Sequence, residues 1–362
     1  MKTLGTALFS SRSVNSLFFL LFIITLITSF SVERYEKVGR QLLRNNDFTH
    51  GFDEWKVHSP GVGEITIKPG GITLHSKDAT LSQQVSQRLL GLTPGSKLLL
   101  QATIGTKDII EGVKSWNRGR VVLIQYVDNK AQYNIPHALA ALGGMNRLNR
   151  YSSVFLVAPF TTEVKVAVQM SRCAGALEVG DLALHIVTER AIYVWAKRFL
   201  LMGWGGFIIL LLVSFLKRRG ALSFKIMLIG MVTVIVAGTS VSGKTKNVGK
   251  EMVLEVIHYL ESLMGVTFLP ELFDITKVAH FGLFALLVLG MRLLEPTICT
   301  ARILLGVCMV AVASECIQFF VDGRSPLIAD VLIDLAGGCS VLLILYFWKR
   351  CKGMRLKGIE KS

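Results

Sequence analysis

Glu315, Arg324, Asp330 and Asp334 stand in the stretch "SECIQFFVDGRSPLIADVLID", between two apolar runs long enough to span a membrane. An ionised side chain at membrane depth costs roughly 2.5–3.5 kcal/mol even on a lenient insertion scale, so such groups persist by pairing or by lining a wet cavity. Asp330, Asp334 and Gly337 recur at i, i+4 and i+7, which puts two carboxylates and a glycine on one helical stripe; the glycine lets a neighbouring helix come close. Glu315 and Gln318 share a face of the preceding run, and Asp274, Lys277 and His280 stand where an earlier run begins. Lys277 and Arg324 are the obvious counter-ions: Arg324 can grip a carboxylate or phosphate with a bidentate fork, whereas Lys277 offers a point charge. The set could bind a polar or anionic headgroup, clasp three helices together, or carry acid–base chemistry through His280 or Glu315. No serine or cysteine nucleophile stands out by spacing, Ser325 being a weak candidate. No metal-ligand spacing occurs, and no cofactor is expected.

The elements that position these groups follow from composition. The chain has 362 residues, 51% hydrophobic, 18% charged, with a mean hydropathy of +0.51, too apolar for an ordinary soluble protein. The net charge of +15 gathers beside apolar runs and reads as a topology signal, not as a nucleic-acid footprint. Apolar runs at about 17–30, 199–216, 222–241, 278–294, 301–320 and 327–348 predict an anchor or cleaved signal peptide (1–31) and a five-helix bundle (191–348) ending in a basic tail (349–362). Lys217, Arg218 and Arg219, Arg292, Arg302 and the basic tail are placed in the cytoplasm by the positive-inside rule. The charged cluster then faces outward. "VGKEMVLEVIHYLESLMG" has the apolar spacing of an amphipathic helix on the membrane surface or against the bundle.

"GTSVSGKT", Gly238 to Thr245, satisfies the phosphate-loop pattern. That loop works between a buried strand and a helix in a compartment that holds nucleotide. Here a membrane run precedes it and the loop falls outside, so no nucleotide is expected.

Residues 32–190 change character, with period-two alternation between turn residues in "GEITIKPGGITLHS", "RVVLIQYVD" and "TEVKVAVQMS". Short strands at this spacing predict an all-β, jelly-roll-like sandwich outside the membrane.

Two resemblances follow. "DITKVAHFGLFALLV", "ASECIQFF" and "DGRSPLIADVLIDLAGG" resemble the VanZ-like family, matching at Lys277, His280, Phe281, Glu315, Gln318, Gly323, Arg324, Asp330 and Gly337; Asp334 stands where that family usually has asparagine. The resemblance implies a place in the cell envelope and a link to teicoplanin resistance rather than a defined reaction. "LLRNNDFTHGFDEW", "LTPGSKLLLQATIG" and "LEVGDLALHIV" are similar to galactose-binding-like carbohydrate-binding modules. That likeness implies sugar stacking on Trp116, Tyr126 or Tyr133 with Arg120 as a polar neighbour, and it implies a core place for Trp55.

The expectation is a multi-pass protein of the bacterial cytoplasmic membrane that recognises an envelope polysaccharide, a membrane lipid or a lipid-linked glycan. The alternatives are an enzyme acting on such a lipid and a scaffold for an envelope complex.

Overall fold

The computed structural model describes residues 11–59, 63–217, 222–240, 275–294, 296–321, 324 and 326–359. Asp274, Gly323, Ser325, the amphipathic stretch 248–265 and residues 241–245 of the phosphate-loop match lie outside the described residues. The chain forms two compact units, Arg34–Arg190 and the segments before and after it.

The first unit is a sandwich of two six-stranded antiparallel sheets. Its strands are β1 (Tyr35–Val38), β2 (Lys56–His58), β3 (Gly63–Lys68), β4 (Gly71–Ser76), β5 (Ser82–Leu90), β6 (Lys97–Ile110), β7 (Gly119–Val127), β8 (Lys130–Gln132), β9 (Ala138–Leu142), β10 (Gly144–Leu156), β11 (Glu163–Ser171) and β12 (Ala174–Glu189). One sheet runs β10-β6-β12-β4-β3 with β1 on β12; the other runs β2-β5-β11-β7-β8 with β9 on β7. Alternation places Leu98, Leu100, Ala102 and Ile104 of β6 and Val121 and Leu123 of β7 in one core, together with Trp55. Trp55 is 6% exposed and donates its indole N–H to the Asn45 carbonyl at 3.0 Å. The β7–β8 turn sets Asp128 and Asn129 at φ of 48° and 63°, the paired positive angles that match a hairpin's twist.

The second unit is helical: α1 (Ser11–Ser31), α2 (Ala191–Leu216), α3 (Leu222–Ser240), α4 (Ile275–Leu294), α5 (Thr300–Gln318) and α6 (Ile328–Ile359). Among the described residues, five segments are long and apolar enough to cross a membrane: Ser13–Ser31, Ala191–Ser214, Thr276–Leu294, Thr300–Gln318 and Ile328–Trp348. The apolar part of α3, Lys225–Gly238, is shorter. Large apolar side chains face outward, as on α6 where Leu332, Leu343 and Ile344 are each more than half exposed, while buried carboxylates face inward. This inside-out distribution suits a hydrocarbon solvent. The last helix continues to Ile359, so residues 349–359 are part of α6.

Small residues set the helix spacing. A Cβ on Gly337 would run into the Phe281 carbonyl group, and one on Gly338 would come 2.9 Å from a Val288 methyl. Only glycine lets α6 approach α4 this closely. On the other side of the bundle, Phe18 and Leu21 of α1 are buried with Trp204 and Phe207 of α2. Trp204 donates its indole N–H to the Thr25 hydroxyl at 2.9 Å.

Candidate functional site

In the bundle, α4, α5 and α6 bring most of the predicted charged set together. Asp334, 0% exposed, accepts no donor at Oδ2 among the described residues, while its Oδ1 lies 3.0 Å from Nδ1 of His280. Glu315 is buried one helix away. Its Oε1 accepts the Gln318 amide and its Oε2 accepts the Leu327 backbone N–H at 2.9 Å, the second bond closing the α5–α6 turn onto the end of α5. Arg324, in that turn, donates Nη2 to the carbonyl oxygen of Gly238 at 2.6 Å, fastening the end of α3. Its guanidinium lies within electrostatic reach of Glu315 and Asp330, and Glu315 within reach of Asp330, His280 and Asp334. Asp330 occupies the first turn of α6, where the helix's unpaired amides favour a negative group.

The sequence singled out Lys277 as a counter-ion, but the structure places it exposed on α4, without an ion pair among the described residues. His280 is the residue that meets Asp334. The pairing joins residues 54 apart in sequence, so spacing alone does not point to it. The Gly238 carbonyl that receives Arg324 carries no side-chain signal at all. Chemically, the described residues of the site include three carboxylates, one guanidinium and one imidazole at a helix seam. Among the described residues, no group of three or more His, Cys, Asp or Glu is arranged to hold a metal.

In the sandwich, the sugar-binding candidates fall on the outward side of the second sheet and its loops. Val121 and Leu123 of β7 point into the core, so alternation turns Arg120, Val122, Ile124 and Tyr126 outward. Register places Arg120 opposite Gln169, and Gln169 opposite Gln84. These side chains form one hydrogen-bonded row across three strands. Arg120 Nε donates to Gln169 Oε1 at 2.8 Å, Gln169 Nε2 to Gln84 Oε1 at 2.6 Å, and Gln84 Nε2 to the Ser86 hydroxyl at 3.1 Å. Beside the row, Val122, Ile124 and Ala167 are buried in a small second apolar cluster covered by Tyr126 and Ala131. Burial pulls the Arg120 guanidinium below its ordinary pKa, opposed by the neighbouring Tyr133 and Cys173.

Tyr133 is 59% exposed and meets the His137 ring edge-on at 5.5 Å. Trp116, 51% exposed, stands on the loop before β7 with the Lys114 ammonium 5.0 Å from its ring centre. Tyr126 carries Lys165 in the same way at 5.3 Å. The structure therefore brings Arg120 and Tyr133 together, sets Tyr126 along the same face, and holds Trp116 on a separate loop. Gln84 and Gln169 had no distinguishing signal, because only strand register reveals that they line up.

The VanZ/LLP1 family model matches residues 224–349, the segment that holds the charged helix seam. No curated protein matches the chain. Similar solved structures include the enzymatically active domain of tailspike protein 4 from bacteriophage CBA120, at 14% identity and a TM-score of 0.30, with 40% of this chain and 21% of that one covered. This chain thus spans about a fifth of that domain's length. Others are the C-terminal family 22 carbohydrate-binding module of Clostridium thermocellum Xyn10B (13% identity, TM-score 0.30, 42% and 96% covered) and the second N-terminal cellulose-binding domain of Cellulomonas fimi β-1,4-glucanase C (12%, 0.30, 42% and 98%). The chain joins a VanZ-like helical segment, with helices of membrane-spanning length, to an antiparallel β-sandwich.

Proposed function

We propose that the protein recognises a glycan of the bacterial cell envelope through the outward face of the second sheet, from the outer side of the cytoplasmic membrane. The supporting observation is the row Arg120–Gln169–Gln84–Ser86 lying beside the exposed ring of Tyr133. A sugar needs what this face offers: the exposed Tyr133 ring for its apolar C–H side and, in half-buried Arg120, a donor for its hydroxyls that is fixed by the buried Gln169 and Ser86 behind it. Because each member of the row is held by its neighbour, little side-chain freedom is lost on binding, a cost of about 0.5–1.5 kcal/mol per mobile side chain otherwise.

The orientation follows the basic residues Lys217, Arg292 and Arg302, which mark one end of the helices as cytoplasmic. In this reading Lys277 and Arg324 lie at the outer end and favour a lipid-linked form of the glycan. The experiment measures binding of the full chain in nanodiscs to envelope saccharides, free and lipid-linked. Arg120→Ala and Tyr133→Ala should each weaken the free saccharide at least tenfold, and Lys277→Ala should weaken only the lipid-linked form. Binding that survives both sandwich substitutions, or no binding to any saccharide, defeats the proposal.

A further inference from the structure

We propose that Asp334 is a buried proton-binding site: it is carried as the neutral acid, its O–H donated to Nδ1 of His280. The argument starts from the oxygen left over. Oδ2 of Asp334 is buried and receives no hydrogen bond among the described residues. As half of a carboxylate it would lose its hydration with nothing in return, a heavier penalty than a neutral buried group pays. As the carbonyl oxygen of a neutral acid it needs far less. The 3.0 Å separation of Oδ1 and Nδ1 serves an O–H···N bond as well as an ion pair, so the orphan oxygen decides between them.

The surrounding charges point the same way. α5 contributes Glu315, whose two oxygens each receive a donor and which is therefore well placed to keep the negative charge. The α5–α6 turn contributes Arg324, within reach of Glu315 and Asp330. α4 contributes His280, and α6 itself contributes Asp330. One guanidinium already faces two carboxylates, and a third carboxylate among them would add repulsion without a partner. No room is needed either: the apolar crevice of the bundle, lined by Leu228, Leu287, Met291 and Val310, includes no member of this cluster, and a proton occupies no volume.

The proton also has a mechanical meaning. Asp334 lies one turn before Gly337, where α6 touches the backbone of α4 at Phe281, so loss of the proton would place bare charge at the tightest seam of the bundle. The inference is independent of the glycan reading, because the sandwich takes no part in it.

The test uses the full chain in detergent. At neutral pH, infrared difference spectra between wild type and Asp334→Asn should show a protonated-carboxyl C=O band present only in the wild type. The variant should melt at the wild-type temperature, since the asparagine N–H can donate to Nδ1 as the acid does. In ¹⁵N spectra of the wild type, Nδ1 of His280 should be unprotonated. Absence of the band, an imidazolium at His280, or collapse of Asp334→Asn would each overturn the proposal in favour of an ion pair.

Discussion

Gly337 of α6 lies directly against the main chain of Phe281 in α4, with no space for even one methyl group between them. The contact sits one turn beyond Asp334 and one residue from His280, so the spacing of two helices and the geometry of the charged seam depend on the same glycine. Gly337→Ala must push the helices apart. Overpacking of this kind costs about 1–3 kcal/mol, and the loss should appear as a lower melting temperature in detergent. A variant that melts at the wild-type temperature would show that α4 and α6 are not held at this distance.

Glu189, at the end of β12, accepts hydrogen bonds from Arg34 (2.8 Å) and Lys97 (3.2 Å). Burial alone would raise its pKa, but the hydrogen bonds and charges of the two cations outweigh this and hold it below its ordinary value. A depressed carboxylate contributes stability that is complete above the unfolded value, about 4.5, and is lost as the pH falls through the lower folded one. Glu189→Gln should therefore be less stable than wild type at neutral pH and lose less on acidification. Parallel acid-unfolding curves for the two proteins would refute this.

Trp204 and Thr25 test whether the first helix is part of the bundle. Both are 0% exposed and they share one hydrogen bond. Trp204→Phe keeps much of the ring and removes the donor, which should cost about 1–3 kcal/mol. The Thr25 hydroxyl keeps its bond to the Leu21 carbonyl in that variant, and the double variant with Thr25→Val should lose less than the sum of the two single losses, because the shared bond can be lost only once. If the second change adds its full cost to the first, the two residues are not coupled.

Cys173 gives a chemical readout of the sandwich core. Burial pushes its thiol up to about 11, with smaller opposing effects from a Ser171 backbone hydrogen bond and from Arg120. At about pH 8 it should stay unalkylated in the folded chain while the exposed Cys299 reacts, because the thiolate is the nucleophile. Prompt labelling of Cys173 would mean that this end of the core opens readily.

Much of this architecture is legible in the residues. Period-two alternation in "RVVLIQYVD" separates Val121 and Leu123 from Arg120 and Tyr126, and the structure keeps that division. The i, i+4, i+7 stripe of Asp330, Asp334 and Gly337 anticipates the seam with α4, because a helix repeats every 3.6 residues whatever its surroundings. Partners are another matter. Asp334 meets His280 rather than lysine, Arg324 ends on the Gly238 carbonyl, and Arg120 joins a glutamine row. Each depends on helix packing or strand register across long loops, and no local spacing encodes either.

The pairing of Tyr35 with Glu189 means that the chain enters and leaves the sandwich through two neighbouring strands, about 5 Å apart. Since α1 and α2 also pack together through Trp204, the whole of Arg34–Arg190 is a cassette spliced into what would otherwise be a plain helical hairpin. Such a module can be exchanged for a short turn or for a different head without re-routing the helices. The sandwich and the helical unit are thereby free to diverge separately.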